Sequence, residues 1–185
     1  MAIHHFEEFN LAHQPTSLPS STLSLILVTW ITLPANVLKL NFDAAINSFR
    51  NRGATKVIVR NSKGQILDWA CKKYNFIINP LVLESLACRD TALLAVNRGF
   101  HFIIVEGDSL LVINVVKNLV IPQDIQQVIH DVRQLSLSFT SISFSHVKRT
   151  CNLAAHALVS KFLYNSHFSC NRVVQQMFVF GSLPV

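Results

Sequence analysis

The sequence lacks an apolar run long enough to cross a bilayer, which takes roughly 20 residues. Leu23 to Trp30 is too short for this, and Pro34 stops it before the next segment begins. A secretory leader is not expected either, because Glu7 and Glu8 stand where such a leader would be basic. Cysteine is scarce: Cys71, Cys88, Cys151 and Cys170 lie far apart with no C-x-x-C pair, so neither a zinc site nor a disulfide framework is indicated, and a reducing compartment fits. The eight histidines include no pair at i, i+4 that would mark a metal site on a helix. Acids are few as well, 10 Asp and Glu against 16 Lys and Arg, leaving a charge of +6 that suits a polyanionic partner or simply solubility. With no clustered basic import signal, the expected location is nucleus or cytoplasm, neither secreted nor membrane-spanning.

What is present is a chain of 185 residues, half of them hydrophobic, enough for one domain with a sizeable core plus tails. Residues 1–29 read as an N-terminal tail, polar and Pro/Ser-bearing through Ser21, with Leu23 to Trp30 packing on the domain. Residues 30–165 read as the domain and 166–185 as a C-terminal tail whose Met177-Phe178-Val179-Phe180 patch has no assignment.

Within the domain, Leu38 to Ala45 alternates like a half-buried strand, with Leu38, Leu40 and Phe42 opposite Lys39, Asn41, Asp43 and Ala45. A carboxylate in mid-strand costs desolvation unless something uses its charge, so Asp43 is a site candidate, with a water-facing Asp as the alternative. A polar loop, Asn47 to Gly53, precedes a β-branched strand from Thr55 to Arg60, the turn Asn61-Ser62-Lys63-Gly64 and a returning strand from Gln65 to Tyr74. Pro80 and Gly99 bracket a helix on which Glu84, Ala87, Cys88, Thr91 and Ala95 form a stripe of small side chains beneath one carboxylate. Phe102 to Val105 is a short apolar strand ending in Glu106-Gly107-Asp108-Ser109, which leads into a helix over Leu110 to Leu119, broken by Pro122. Ile125, Val128, Ile129, Val132 and Leu135 mark a further helix, Thr140 to Lys148 a fifth strand, and a last helix starts near Asn152. The order is βββαβααβα, an α/β fold with a five-stranded mixed sheet whose first three strands are antiparallel.

These segments carry a resemblance. Trp30…Pro34…Leu38 to Ala45, Val57 to Gly64, Leu83-Glu84-Ser85-Leu86-Ala87, Val105-Glu106-Gly107-Asp108-Ser109, and His146-Val147-Lys148-Arg149…Asn152 to Leu158 together resemble the ribonuclease H-like fold. They are most similar to plant, retroelement-related reverse-transcriptase-like ribonuclease H proteins. The resemblance implies that Asp43, Glu84 and Asp108 converge on two Mg²⁺ or Mn²⁺ ions and that the chain cuts the RNA strand of RNA–DNA hybrids. Hard oxygen ligands suit Mg²⁺, and two ions about 4 Å apart stabilise both the attacking and the leaving oxygen.

Two departures bear on that activity. The fourth carboxylate of active relatives is replaced by His156, a weak fourth ligand that supplies no negative charge. A loop histidine of the family is matched by nothing in Lys148-Arg149-Thr150-Cys151, and His146 reads as a packed core residue. A nucleic-acid-binding domain without turnover, or a decayed copy without activity, are therefore the alternatives. Arg50, Arg52 and Lys56, with Arg60 and Lys63 in the same basic stretch, are candidates for phosphate contact or plain exposed charges; Lys148, Arg149 and Asn152 join them as nucleic-acid candidates. Glu106 reads as structural or solvent-facing, and Asp90, Asp124 and Asp131 as uninvolved in the site. No obligate protein partner is indicated.

Overall fold

A computed structural model describes residues 33–117 and 120–164 of the chain. The expected tails, and the packing of Leu23 to Trp30, lie outside the described residues. Within them the elements follow the order read from the sequence: β1 (Leu38–Asn47), β2 (Arg52–Arg60), β3 (Ile66–Asn75), α1 (Pro80–Asn97), β4 (Phe102–Gly107), α2 (Leu110–Val116), α3 (Gln126–Ser136), β5 (Ser141–His146) and α4 (Leu153–Tyr164). The five strands form one sheet in the order β3-β2-β1-β4-β5. β1, β2 and β3 pair antiparallel, whereas β4 runs parallel to both β1 and β5. This is the ribonuclease H-like arrangement. No helix among the described residues is long and apolar enough to cross a membrane.

Local chemistry sets the boundaries. Asn79 caps α1 by accepting from the amides of Leu81 and Val82, and Pro80 follows at the first helical position. At the other end Gly99, at φ 66°, lets its own amide reach Val96 O and that of Phe100 reach Ala95 O, which closes the helix on a left-handed residue. The β1–β2 connection is tighter than the loop expected from its polarity. β1 continues to Asn47, whose side chain accepts from Arg50 N, and Asn51 turns the chain at φ 48°. α2 is shorter than expected and ends at Val116; Leu119 lies outside the described residues.

β1 is covered on both faces, not on one as its alternation suggests. Leu40 and Phe42 pack with Val57 and Val59 of β2 and with Ala87, Cys88 and Ala95 of α1. On the other face Ala45 joins Ala54 and the α4 residues Val159 and Leu163, while Ile58 packs on Ala155. The small stripe on α1 lets that helix lie close to the sheet, and Asp90 ties it there. Thr55 Oγ1 donates to Asp90 at 2.8 Å and the Tyr74 hydroxyl at 2.7 Å. Asp90 is thus a half-buried tether, because its turn of α1 faces β2 and β3.

Beside Asp43 on β1 lies a layer of polar groups that satisfy one another. Asn41 Nδ2 donates to Glu106 Oε2 at 2.9 Å, Arg60 Nη1 donates to Asn41 Oδ1 at 2.6 Å, and Lys39 Nζ pairs with Glu106 Oε1 at 3.0 Å. Glu106 is structural, as expected. It bridges two strands whose residues 41 and 106 stand opposite each other in the parallel register.

Candidate metal centre

Parallel pairing of β1 and β4 brings their C-terminal halves to the same end of the sheet. Asp43 lies on β1 there, and Asp108 follows β4 immediately. Gly107 makes this approach possible: a Cβ at that position would run into the Phe42 ring, so only glycine passes without moving the core. Glu84 stands in the second turn of α1, held over β1 by the buried Leu83, Ala87 and Cys88 beside it. Asp43, Glu84 and Asp108 each offer a carboxylate oxygen within 4.8 Å of the other two.

These carboxylates repel one another in a poorly solvated place. Asp43 is fully buried, and its carboxyl is raised to about 6, first by burial and next by the charge of Asp108; His156 and the Ala44 amide oppose the rise. Glu84 goes further, to about 8, through burial and then the charges of Asp43 and Asp108, with Arg149 opposing. Beneath it the buried Cys88 thiol is pushed up by desolvation and by Glu84, so it is an inert packing residue. Among the described residues, Asp43 Oδ1 and Glu84 Oε2 are buried without a hydrogen-bond partner. Orphaned buried carboxylate oxygens are costly, and a hard divalent cation is the group that three converging oxygen donors fit.

His156 Nδ1 hydrogen-bonds Asp43 Oδ2 at 3.0 Å, so the residue that the resemblance sets in place of a fourth carboxylate sits against one carboxylate of the cluster. Arg149 enters from the turn before α4, and its Nε donates to Asp108 Oδ2 at 3.0 Å. That bond, ahead of the surrounding acidic charges, raises the guanidinium above its ordinary value. The pairing was not apparent from sequence, where Arg149 is one of two adjacent cations; its only signal is the basic turn preceding a helix.

The other nucleic-acid candidates divide by exposure. Arg50, Arg52 and Lys148 are exposed. Lys56 is 2% exposed, and its ammonium lies 4.6 Å from the centre of the Trp69 ring, so it does not reach a phosphate. The reason is register: Lys56 stands opposite Asp43, on a central strand covered from both sides. Asn152 is equally buried and spends its Nδ2 on the carbonyl of Phe42 at 2.7 Å, pinning the start of α4 to β1 next to Asp43. His146 is the opposite case. Expected in the core, it is exposed because it is the last residue of an edge strand, opposite Gly107. Asp124 is exposed, whereas Asp131 is half-buried beside Arg89 at 3.6 Å.

Comparison with known proteins agrees with this geometry. The profile of the reverse transcriptase-like family matches residues 41–162. No curated protein matches the chain in sequence. Among solved structures, ribonuclease H1 from the halophilic archaeon Halobacterium salinarum is similar at a TM-score of 0.63 and 23% identity, over 68% of this chain and 96% of that one. The N-terminal ribonuclease H domain of a Mycobacterium tuberculosis protein gives 0.60 at 18% identity, over 68% and 91%. LC11 ribonuclease H1, solved in complex with an RNA/DNA hybrid, gives 0.60 at 15%, over 67% and 94%. The sheet order, the three converging carboxylates and the family match together place this chain in the reverse transcriptase-like family of the ribonuclease H-like superfamily.

Proposed function

We propose that this chain is a divalent-cation-dependent endonuclease that hydrolyses the RNA strand of RNA–DNA hybrids. The observation that carries the reading is the meeting of Asp43, Glu84 and Asp108 within 4.8 Å, two of them with buried oxygens that have no hydrogen-bond partner among the described residues. Mg²⁺ or Mn²⁺, bound as a pair, would supply the Lewis acidity that activates water and stabilises the leaving oxygen. The protein's own residues then have distinct tasks. Asp43, Glu84 and Asp108 hold the cations, and His156 orients Asp43 through Nδ1, with its ring as a weak fourth ligand when that bond is exchanged. Arg50, Arg52 and Lys148 contact backbone phosphates, which gives affinity without sequence preference.

The test is cleavage of a labelled hybrid in Mg²⁺ or Mn²⁺ by the parent and by Asp43→Asn. Equal rates for the two would overturn the reading.

One observation favours a second reading, nucleic-acid binding without turnover. Arg149 already neutralises Asp108 with a cation of the chain's own. In that case the hybrid binds, weakens with salt and is not cut. Replacing Arg149 by Ala then leaves cleavage absent, whereas in a metal-dependent enzyme it changes the cation concentration needed.

A further inference from the structure

Two of the most exposed large apolar side chains of the described residues are aromatic and lie at one end of the sheet. Phe49 is 96% exposed in the β1–β2 turn and Phe76 is 84% exposed just after β3. The two loops are fastened together: the amide of Phe76 donates to Asn51 O at 2.7 Å, and Arg52 stands opposite Asn75 in the β2–β3 register. Among the described residues, Asn51 and Phe76 are also the non-glycine residues with left-handed backbones, at φ 48° and 63°. A bulky side chain rarely adopts that conformation, and holding one there in full exposure costs free energy for no packing return. The Phe76 ring is therefore presented, not stored, and Phe49 stands exposed in the adjoining turn.

Their electrostatic surroundings select the partner. Arg50 and Arg52 follow Phe49 closely in the chain, and both are exposed. Between Asp43 and Glu84 the sequence holds one acid, Asp68, and that is committed to Arg98 at 2.7 Å. Exposed aromatic faces interleaved with cations, on a surface poor in acids, match unpaired nucleobases and the phosphates that join them. A fully paired hybrid keeps its bases stacked inside and offers such rings little. At roughly 3.3 Å per residue along β1, the turn begins about 13 Å beyond Asp43, within reach of a strand that leaves the metal centre.

We infer that Phe49 and Phe76, with Arg50 and Arg52, form a stacking platform for single-stranded nucleic acid continuous with the hybrid. The inference rests on the reading of the site as a hybrid nuclease and adds its substrate class: hybrids that end in an unpaired tail. Stacking on the rings holds the tail, and the arginines follow its backbone.

The test is fluorescence anisotropy in EDTA, where nothing is cut, comparing a blunt hybrid with the same hybrid carrying an unpaired overhang. The parent is expected to bind the overhang form about tenfold more tightly, and Phe49→Ala with Phe76→Asn to remove that preference while changing blunt binding less than twofold. Phe49→Ala alone serves as the variant with no folding risk, since that ring is almost wholly exposed, and is expected to remove part of the preference. Equal affinity of the parent for the two hybrids overturns the inference, as does an equal loss on both in the variants. Sedimentation that finds a parent dimer and a monomeric double variant also overturns it, making the patch a contact between copies. Cleavage of the blunt hybrid is read separately, so failure of the platform and failure of the nuclease reading give different results.

Discussion

Two clusters of charge lie side by side on the same pair of strands and are treated in opposite ways. At Asn41 and Glu106 the polar groups close on one another, with Lys39 and Arg60 supplying cations and Asn41 using both ends of its amide. Two residues further along β1 and β4, Asp43 and Asp108 converge with Glu84 into three like charges. Against them the described residues set Arg149 and, through one hydrogen bond, His156. The first cluster is complete without anything from outside. The second holds two buried oxygens without a hydrogen-bond partner among the described residues, and that difference separates a closed network from an open cluster.

The sharpest way to break the comparison is to remove the charge that defines the open cluster. Asp43→Asn is expected to lower hybrid cleavage by at least about a hundredfold, because it removes a ligand and its negative charge together. The same change should raise the melting temperature in EDTA, since it relieves repulsion in a buried place. A fall in melting temperature with unchanged cleavage would make Asp43 structural.

In the closed cluster the sign is reversed. Glu106→Ala leaves Lys39 and Asn41 facing a vacated acceptor and is expected to destabilise by about 2–4 kcal/mol in urea unfolding. The melting shift produced by Mn²⁺ should persist. A loss under about 0.5 kcal/mol would mean that the network is ornamental.

The third test uses pH. Glu84 is raised to about 8 and Asp43 to about 6 in the fold, above their ordinary values of 4.5 and 3.8. A raised folded value means that the native state holds its protons more tightly than the unfolded chain. The stabilisation is full below the ordinary values and is lost as pH rises toward 6 and then 8. Metal-free protein should therefore melt at progressively lower temperature from about pH 4.5 to 8, and Glu84→Gln should flatten most of that slope. Added divalent cation should stabilise more at pH 8 than at pH 5. A slope that survives Glu84→Gln and Asp43→Asn would place its origin elsewhere.

The smallest expected effect belongs to His156→Asp, which restores a fourth carboxylate. It should raise Mg²⁺-dependent cleavage several-fold relative to Mn²⁺, and an unchanged Mg²⁺ rate would make His156 solely a positioning group for Asp43.

The order of elements was legible because each carries its own period and punctuation, such as Pro80 and Gly99 around α1 and the alternation of β1. The three carboxylates were legible because each stands at a telling place on its element. What escaped the sequence depended on partners brought from elsewhere. Lys56 looks like one cation of a basic stretch, and only its register against Asp43 under α4 buries it. Asn152 looks like an exposed helix start, and only the approach of α4 to β1 gives it the Phe42 carbonyl. His146 alternates with apolar neighbours, yet β5 is an edge strand and its last residue overhangs the core. Asp90 appeared uninvolved until Thr55 and Tyr74 arrived from the sheet.

The closed network also acts as a gauge. Asn41 and Glu106 stand opposite each other where β1 and β4 run parallel, and their hydrogen bond exists in one alignment of the two strands. A slip of one residue would separate them and displace Asp108 along Asp43 by roughly 3.3 Å, a large fraction of the span that one cation bridges. The spacing of the three carboxylates is thus measured out by residues that take no part in their cluster.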